Sequence, residues 1–209
     1  MTEGSPIDNR EQRIKDLFEQ NNAYLEGHFV YASKKHGEQY VNKDALYPDT
    51  KVVSELCRYM AEPFRGQNID TVLGPALGGI ILAQRVAEHL TQMERKTIYG
   101  IFAEKTEDDN LEIKRDYNAF IKGKNVLVVE DVLNTGGSAK KAIDAVRKNG
   151  GNVVALSALV NRGGVTPEDI GEVPINSLLD VTMESWESYD CRLCESGIPV
   201  NTNVGHAVE

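Results

Sequence analysis

Val126-Leu127-Val128-Val129-Glu130-Asp131-Val132-Leu133-Asn134-Thr135-Gly136-Gly137-Ser138 is the stretch on which the reading turns. Its first four residues are all apolar, as in a strand buried on both faces. The strand is read as Asn125–Val129, ending at two carboxylates, Glu130 and Asp131. A turn then leads through Thr-Gly-Gly-Ser directly into a helix. Glycines without Cβ let backbone N–H groups approach an anion, and the start of the helix adds unpaired donors and the positive end of a dipole. Thr135 and Ser138 add hydroxyls. Such a loop suits a phosphate monoester.

The acid pair cannot serve the same phosphate, because like charges repel. It can accept hydrogen bonds from sugar hydroxyls, and negative charge beside a sugar ring stabilises an oxocarbenium-like transition state. No Gly-Lys-Ser/Thr follows a GxxxxG pattern, so this is not a Walker loop, and a GxGxxG fingerprint is absent.

Working outward, strands and helices alternate. Asp70–Gly74 and Thr97–Phe102 read as strands, with a helix over Gly79–Leu90 between them. A helix over Gly137–Asn149 stops at Gly150-Gly151, followed by strands Asn152–Val160 and Ile175–Thr182. This order implies an α/β fold with a parallel sheet and right-handed crossovers. Ligand sites then lie in loops beyond the carboxyl ends of the strands: 74–79, 103–118, 130–138 and 161–164. Upstream, residues 10–22 read as an amphipathic helix with Ile14, Leu17 and Phe18 on one face. Two short strands, 28–33 and 38–42, flank the basic turn Lys34-Lys35-His36-Gly37, and Pro48 opens a helix with the stripe Val52, Leu56, Tyr59 and Met60.

At 209 residues the chain is long enough for one full core. With 23 basic and 32 acidic residues its formal charge is −9. Neither nucleic acid nor an anionic membrane is expected as a partner. The polar stretch Met1–Arg13 has no apolar signal core, and the most apolar run, Val72–Ala83, is broken by Gly-Pro and Gly-Gly. Three cysteines imply no disulfide framework, which fits a cytoplasmic protein.

The segment 126–138 resembles the 5-phosphoribosyl-1-diphosphate (PRPP) signature of type I phosphoribosyltransferases. The resemblance extends from about Gly27 to Pro199 and is nearest to the orotate-using members of that family. It implies a type I phosphoribosyltransferase-like parallel sheet flanked by helices, in a single domain over 1–209. A small N-terminal hood (about 1–47, with the C-terminal tail) would accompany a core of about 48–185. The implied reaction joins orotate to PRPP and releases diphosphate, with Mg²⁺ on the substrate. No protein metal ligand is assigned, and a homodimer that shares its lid is expected.

By the same resemblance, Glu130 and Asp131 hold the ribose hydroxyls. Val132, Leu133, Asn134, Thr135, Gly136, Gly137 and Ser138 make the phosphate loop, and Pro75, Ala76 and Gly78 belong to the diphosphate loop GPALGG. Arg162 matches the base-binding arginine, whose guanidinium can fork onto a carboxylate. The segment between Ala103 and Gly123 matches a mobile catalytic lid, with Lys105, Lys114 and Arg115 as its diphosphate-binding cations and Lys105 as the catalytic one.

The chain departs from that pattern in four places. Asn134 stands where the family commonly has Thr, and Ala32 where some members have a hood Lys, so Lys34 or Lys43 is expected to take that role beside the base. The usual Ser-Gly of the hood turn is Ser33-Lys34. The lid carries six acids (Glu104, Glu107, Asp108, Asp109, Glu112, Asp116) against three bases. Two other readings therefore stay open: a purine or another base, and a PRPP-sensing regulator without catalysis.

Cys191-Arg-Leu-Cys194 is a CxxC with only His206 nearby in sequence, short of the four ligands of a zinc site. It is read first as small residues packing the tail, with metal binding or redox chemistry as the alternatives. Cys57 is read as core, His36 as a solvated turn residue and His89 as a surface position.

Overall fold

The computed structural model describes residues 6–31 and 33–204, and the side chains of 6–8 are not considered. Ala32 and His206 lie outside the described residues. Two compact units are present: residues up to Thr50 together with those from Thr182 onward, and residues 51–181.

The larger unit is built on a six-stranded sheet of order β5-β4-β3-β6-β7-β8. Its strands are β3 (Thr71–Pro75), β4 (Tyr99–Lys105), β5 (Leu111–Glu112), β6 (Asn125–Leu133), β7 (Asn152–Asn161) and β8 (Ile175–Asp180). All neighbouring pairs are parallel except β4 with β5. The central strands are buried over most of their length because helices cover both faces, which is why they read as apolar runs. One face carries Val126, Val128, Leu156 and Ala158 in a cluster with Ala142, Ile143 and Val146 of α4 (Gly137–Lys148). The others are α2 (Thr50–Ala61) and α3 (Gly78–Glu94). Ser157 Oγ of β7 donates to the Met60 carbonyl at the end of α2 (3.2 Å).

The smaller unit contains α1 (Pro6–Gln20), the antiparallel pair β1 (Tyr24–Val30) and β2 (His36–Val41), and a tail with the short α5 (Arg192–Glu195). Ile14, Leu17 and Phe18 are buried, as their spacing predicts. No helix among the described residues is long and apolar enough to cross a membrane.

Several expectations need correction. β6 does not stop at Val129 but runs to Leu133, because β7 keeps pairing with it as far as Leu133↔Asn161. Pro48 lies in a turn, and α2 begins two residues later at Thr50. The lid is not wholly loop: β4 continues to Lys105, and Leu111–Glu112 pairs back onto it. Ile113 and Ile121 of this segment are buried in the core cluster. His89 sits inside α3, half-buried, with Nε2 3.1 Å from Ser54 Oγ, and desolvation lowers its pKa. His36 is not a solvated turn residue: it opens β2, half-buried, and its Nδ1 lies 2.7 Å from His28 Nε2. Cys57 is fully buried as expected, and burial pushes its thiol up to about 12.

Candidate active site

The sheet order reverses between β3 and β6. From β3 the chain adds β4 on one side, then returns to lay β6 on the other. Ligands of open α/β sheets bind beyond the carboxyl ends of the strands at such a point. Two loops followed by helices lie there: 75–79, leading into α3, and 134–137, leading into α4.

In the first loop the backbone folds closely on itself. A Cβ on Gly74 would lie 2.1 Å from the Gly79 carbonyl oxygen, and one on Gly79 would lie 2.8 Å from Pro75 Cδ. Only glycine fits either position. The Ala76 N–H donates to the Ala103 carbonyl (2.9 Å), and the Ala76–Leu77 peptide is cis. No side chain caps α3.

The second loop starts where β6 loses a neighbour. β3 pairs with β6 only as far as Val128, so Glu130 and Asp131 lie on a segment held by β7 alone. Successive strand residues point to opposite faces. Glu130 is 5% exposed and Asp131 half-buried, so Asp131 is the more accessible of the two. Each carboxylate accepts a backbone N–H from the next residue: Asp131 N–H on Glu130 Oε1 (3.2 Å), Val132 N–H on Asp131 Oδ1 (2.7 Å). Asn134, Thr135, Gly137 and Ser138 are exposed. Gly136 takes a φ of +75° at the N-cap of α4. No side chain caps this helix and no acid occupies its first turn, so its end N–H groups are left for an anion.

Arg162 is brought to this loop. The N–H groups of Arg162 and Gly163 both donate to the Leu133 carbonyl (3.0 and 3.1 Å). Gly163 makes this possible, since a Cβ there would lie 1.5 Å from the Asn134 carbonyl oxygen. Asn161 fixes the turn from below, with its amide donating to the Val165 carbonyl and accepting the Val165 N–H (both 3.0 Å). Sequence reasoning missed Gly163 and Asn161. The available signal was a polar Asn closing an apolar strand, directly before Arg-Gly-Gly.

The lid cations are all engaged with lid acids. Lys105 Nζ is 3.4 Å from Asp109, Lys114 Nζ is 4.0 Å from Glu112, and Arg115 Nε donates to Glu104 (2.7 Å). Lys141 of α4, absent from the sequence reading, binds Asp109 through its carboxylate (2.6 Å) and its carbonyl. Hydrogen bonds from Lys141 and then Lys105 hold the Asp109 carboxyl below its ordinary value. Lys34 and Lys43 belong to the smaller unit. Lys34 is exposed at a turn with φ +68°, and Lys43 is half-buried with Nζ 3.2 Å from Asp44.

Comparison with known proteins agrees with this geometry. The phosphoribosyl transferase domain family matches residues 42–183. An orotate phosphoribosyltransferase of Caldanaerobacter subterraneus is 36% identical over 189 residues, 90% of this chain and 94% of that one. A solved orotate phosphoribosyltransferase of Mycobacterium tuberculosis in complex with PRPP superposes with a TM-score of 0.62 at 22% identity, covering 83% of this chain and 96% of the other. A solved adenine phosphoribosyltransferase of Thermoanaerobacter pseudethanolicus has a TM-score of 0.60 at 18% identity, over 81% and 99% of the two chains. The fold is thus shared by transferases for different bases, while the phosphate loop and the acid pair lie inside the matched span. The chain belongs to the phosphoribosyltransferase family.

Proposed function

We propose that the protein transfers the 5-phosphoribosyl group of PRPP to orotate, giving orotidine 5′-monophosphate and diphosphate. The observation that carries this reading is the pair of helix-start loops at the switch point, with two carboxylates beside the second. One loop suits the 5-phosphate and the other the diphosphate of a single ligand, because neighbouring strands lie only about 5 Å apart. The orotate assignment rests on the relative that matches nearly end to end.

In this mechanism the loop Asn134–Ser138 holds the 5-phosphate, and Pro75, Ala76 and Gly78 present backbone to the diphosphate. The ribose C1–O bond to diphosphate breaks, and its electron pair leaves with the diphosphate. A bond from C1 to the ring nitrogen of the base forms as that nitrogen's proton goes to solvent. Glu130 and Asp131 hold the ribose hydroxyls and stabilise positive charge developing on the ring. Lys105, released from Asp109 as the lid closes, meets the charge on the departing diphosphate, with Lys114 and Arg115 around it. Arg162 forks onto the carboxylate of the base. Asn134 completes the base site of the larger unit.

Hard oxygen donors next to a diphosphate suit Mg²⁺, which typically keeps few protein ligands. Glu130 and Asp131 would stand beside such an ion, which would supply charge neutralisation. Hood (about 1–47, with the tail) and core (about 48–185) form one transferase domain in this reading. The protein acts in the cytoplasm as a homodimer whose lid serves the neighbouring site.

Diphosphate release with PRPP, Mg²⁺ and each of several bases tests the reading. Release with orotate alone is expected. The exposed Asn134, with both donor and acceptor, favours one second reading, a different base. Release with adenine or uracil but not orotate would establish it.

A further inference from the structure

The described residues bring together one group of metal-binding side chains that phosphoribosyl transfer does not use: His28, His36, Cys191 and Cys194. All four belong to the smaller unit. Their ligand atoms lie within 4.8 Å of one another. Cys191 Sγ is 3.6 Å and Cys194 Sγ 3.8 Å from His28 Nε2, and Cys194 Sγ is 3.4 Å from His36 Nδ1. Bond lengths of 2.0–2.1 Å to nitrogen and 2.3 Å to sulfur give a tetrahedron with edges of about 3.4–3.8 Å. Three of the four sulfur–nitrogen edges already have that size. The 2.7 Å edge between the two imidazoles is a hydrogen bond, and it opens by roughly 0.7 Å when a metal replaces the shared proton.

Local structure explains the convergence. His36 pairs with Val30 across the β1–β2 pair, and a bulge opens between Glu26 and Phe29. Opposed residues, and residues two apart on a strand, share a face. His28 and His36 therefore emerge together. Cys191 and Cys194 sit three apart around α5, so their sulfurs share one side of a single helical turn. Backbone bonds then fasten the tail around both histidines: Trp186 pairs with His36 in both directions (2.8 Å), and the Asn201 N–H donates to the His28 carbonyl (2.7 Å).

A second observation points to a ligand. His28 Nδ1 lies 2.7 Å from the Ile198 carbonyl. A carbonyl only accepts, so Nδ1 carries a proton, and Nε2 is the nitrogen that faces the cluster. This outer hydrogen bond is the usual companion of a metal-binding histidine. Burial grades from Cys191, with no exposed surface, to Cys194 at the surface, which leaves an entry path.

We propose that His28, His36, Cys191 and Cys194 form a structural Zn²⁺ site that fastens the C-terminal segment to the β1–β2 pair. Two thiolates and two imidazoles in a closed tetrahedron select zinc, and all four positions are filled by protein, which leaves none for catalysis. The site links residues up to 166 positions apart, in a unit whose β1–β2 pair would be marginal by itself. It is independent of the transferase reading.

The test uses the full chain, stripped by a strong chelator under reducing conditions and titrated with Zn²⁺ alone against a chromophoric competitor. One tight equivalent is expected, with a rise in Tm. Co²⁺ should give the intense visible bands of tetrahedral coordination and a thiolate charge-transfer band, both displaced by Zn²⁺. Cys194→Ser, at an exposed position, should fold, lose the tight equivalent by at least about a hundredfold and weaken the charge-transfer band. His36→Gln should weaken binding but keep that band. An octahedral cobalt spectrum, no tight equivalent in the unsubstituted chain, or unchanged affinity in Cys194→Ser would overturn the proposal.

Discussion

The phosphate loop and the lid face the same crevice end of the sheet, yet they are held in opposite ways. The loop 134–138 is fixed by backbone: two N–H groups on the Leu133 carbonyl, a glycine packed against Asn134, and a positive φ at Gly136. The lid turn is fixed by exposed ion pairs, chiefly Lys141 and Lys105 on Asp109. Close backbone packing has no cheap alternative arrangement, whereas exposed ion pairs exchange readily with water and other charges. The proposed mechanism, in which one end of the substrate is held still while a cover moves over the other, needs both. Three of the six lid acids, Glu104, Asp109 and Glu112, hold the lid cations, and in the proposed mechanism they give them up to a stronger anion.

The sharpest way to break this contrast is Gly163→Ala. Its Cβ would overlap the Asn134 carbonyl, displacing either the loop or Arg162. Loss of kcat/KM by more than about a hundredfold is expected in a protein that still folds, and near-normal activity would refute the rigid loop. Lys105→Ala should lower kcat roughly ten- to a hundredfold with little change in PRPP affinity measured before closure, as single-turnover kinetics would show. Leu127→Ala, in the buried centre of β6, should cost about 2–5 kcal/mol in denaturant unfolding while sparing the site geometry.

Lys141→Ala should do least, changing kcat or KM by less than about fivefold, with the difference fading at high salt. The pH dependence of this tie has a definite sign. Asp109 has a depressed pKa in the folded protein, so the tie is fully present above its ordinary 3.8 and is lost as pH falls through the lower folded value. Amide exchange in the lid turn, corrected for its intrinsic rate, should rise only in that acid range. A change between pH 5 and 8 would assign the tie to another group.

Legibility follows the same division. α4 could be read nearly to the residue, because its apolar stripe and the Gly150-Gly151 stop are local signals. The phosphate loop was legible because its parts are contiguous. β6 was read too short because Glu130 and Asp131 break its apolar run and only pairing with β7 shows that the strand continues. Gly163 was invisible because its partner, Asn134, lies on another strand's loop. β5, two residues long and half polar, carries no period to detect. The CxxC was visible, but its histidines sit more than 150 residues upstream, and proximity in sequence pointed to His206 instead.

The depth of Cys57 has a practical consequence at the bench. A thiol that ionises only near 12, with no exposed surface, stays inert to maleimides and disulfide reagents at neutral pH. Cys191 is equally buried and only Cys194 is exposed, so rapid thiol counting on the metal-free folded chain reads Cys194 first. A cysteine introduced at the lid turn could be labelled for fluorescence without removing Cys57, so lid closure can be followed in a chain whose core is untouched.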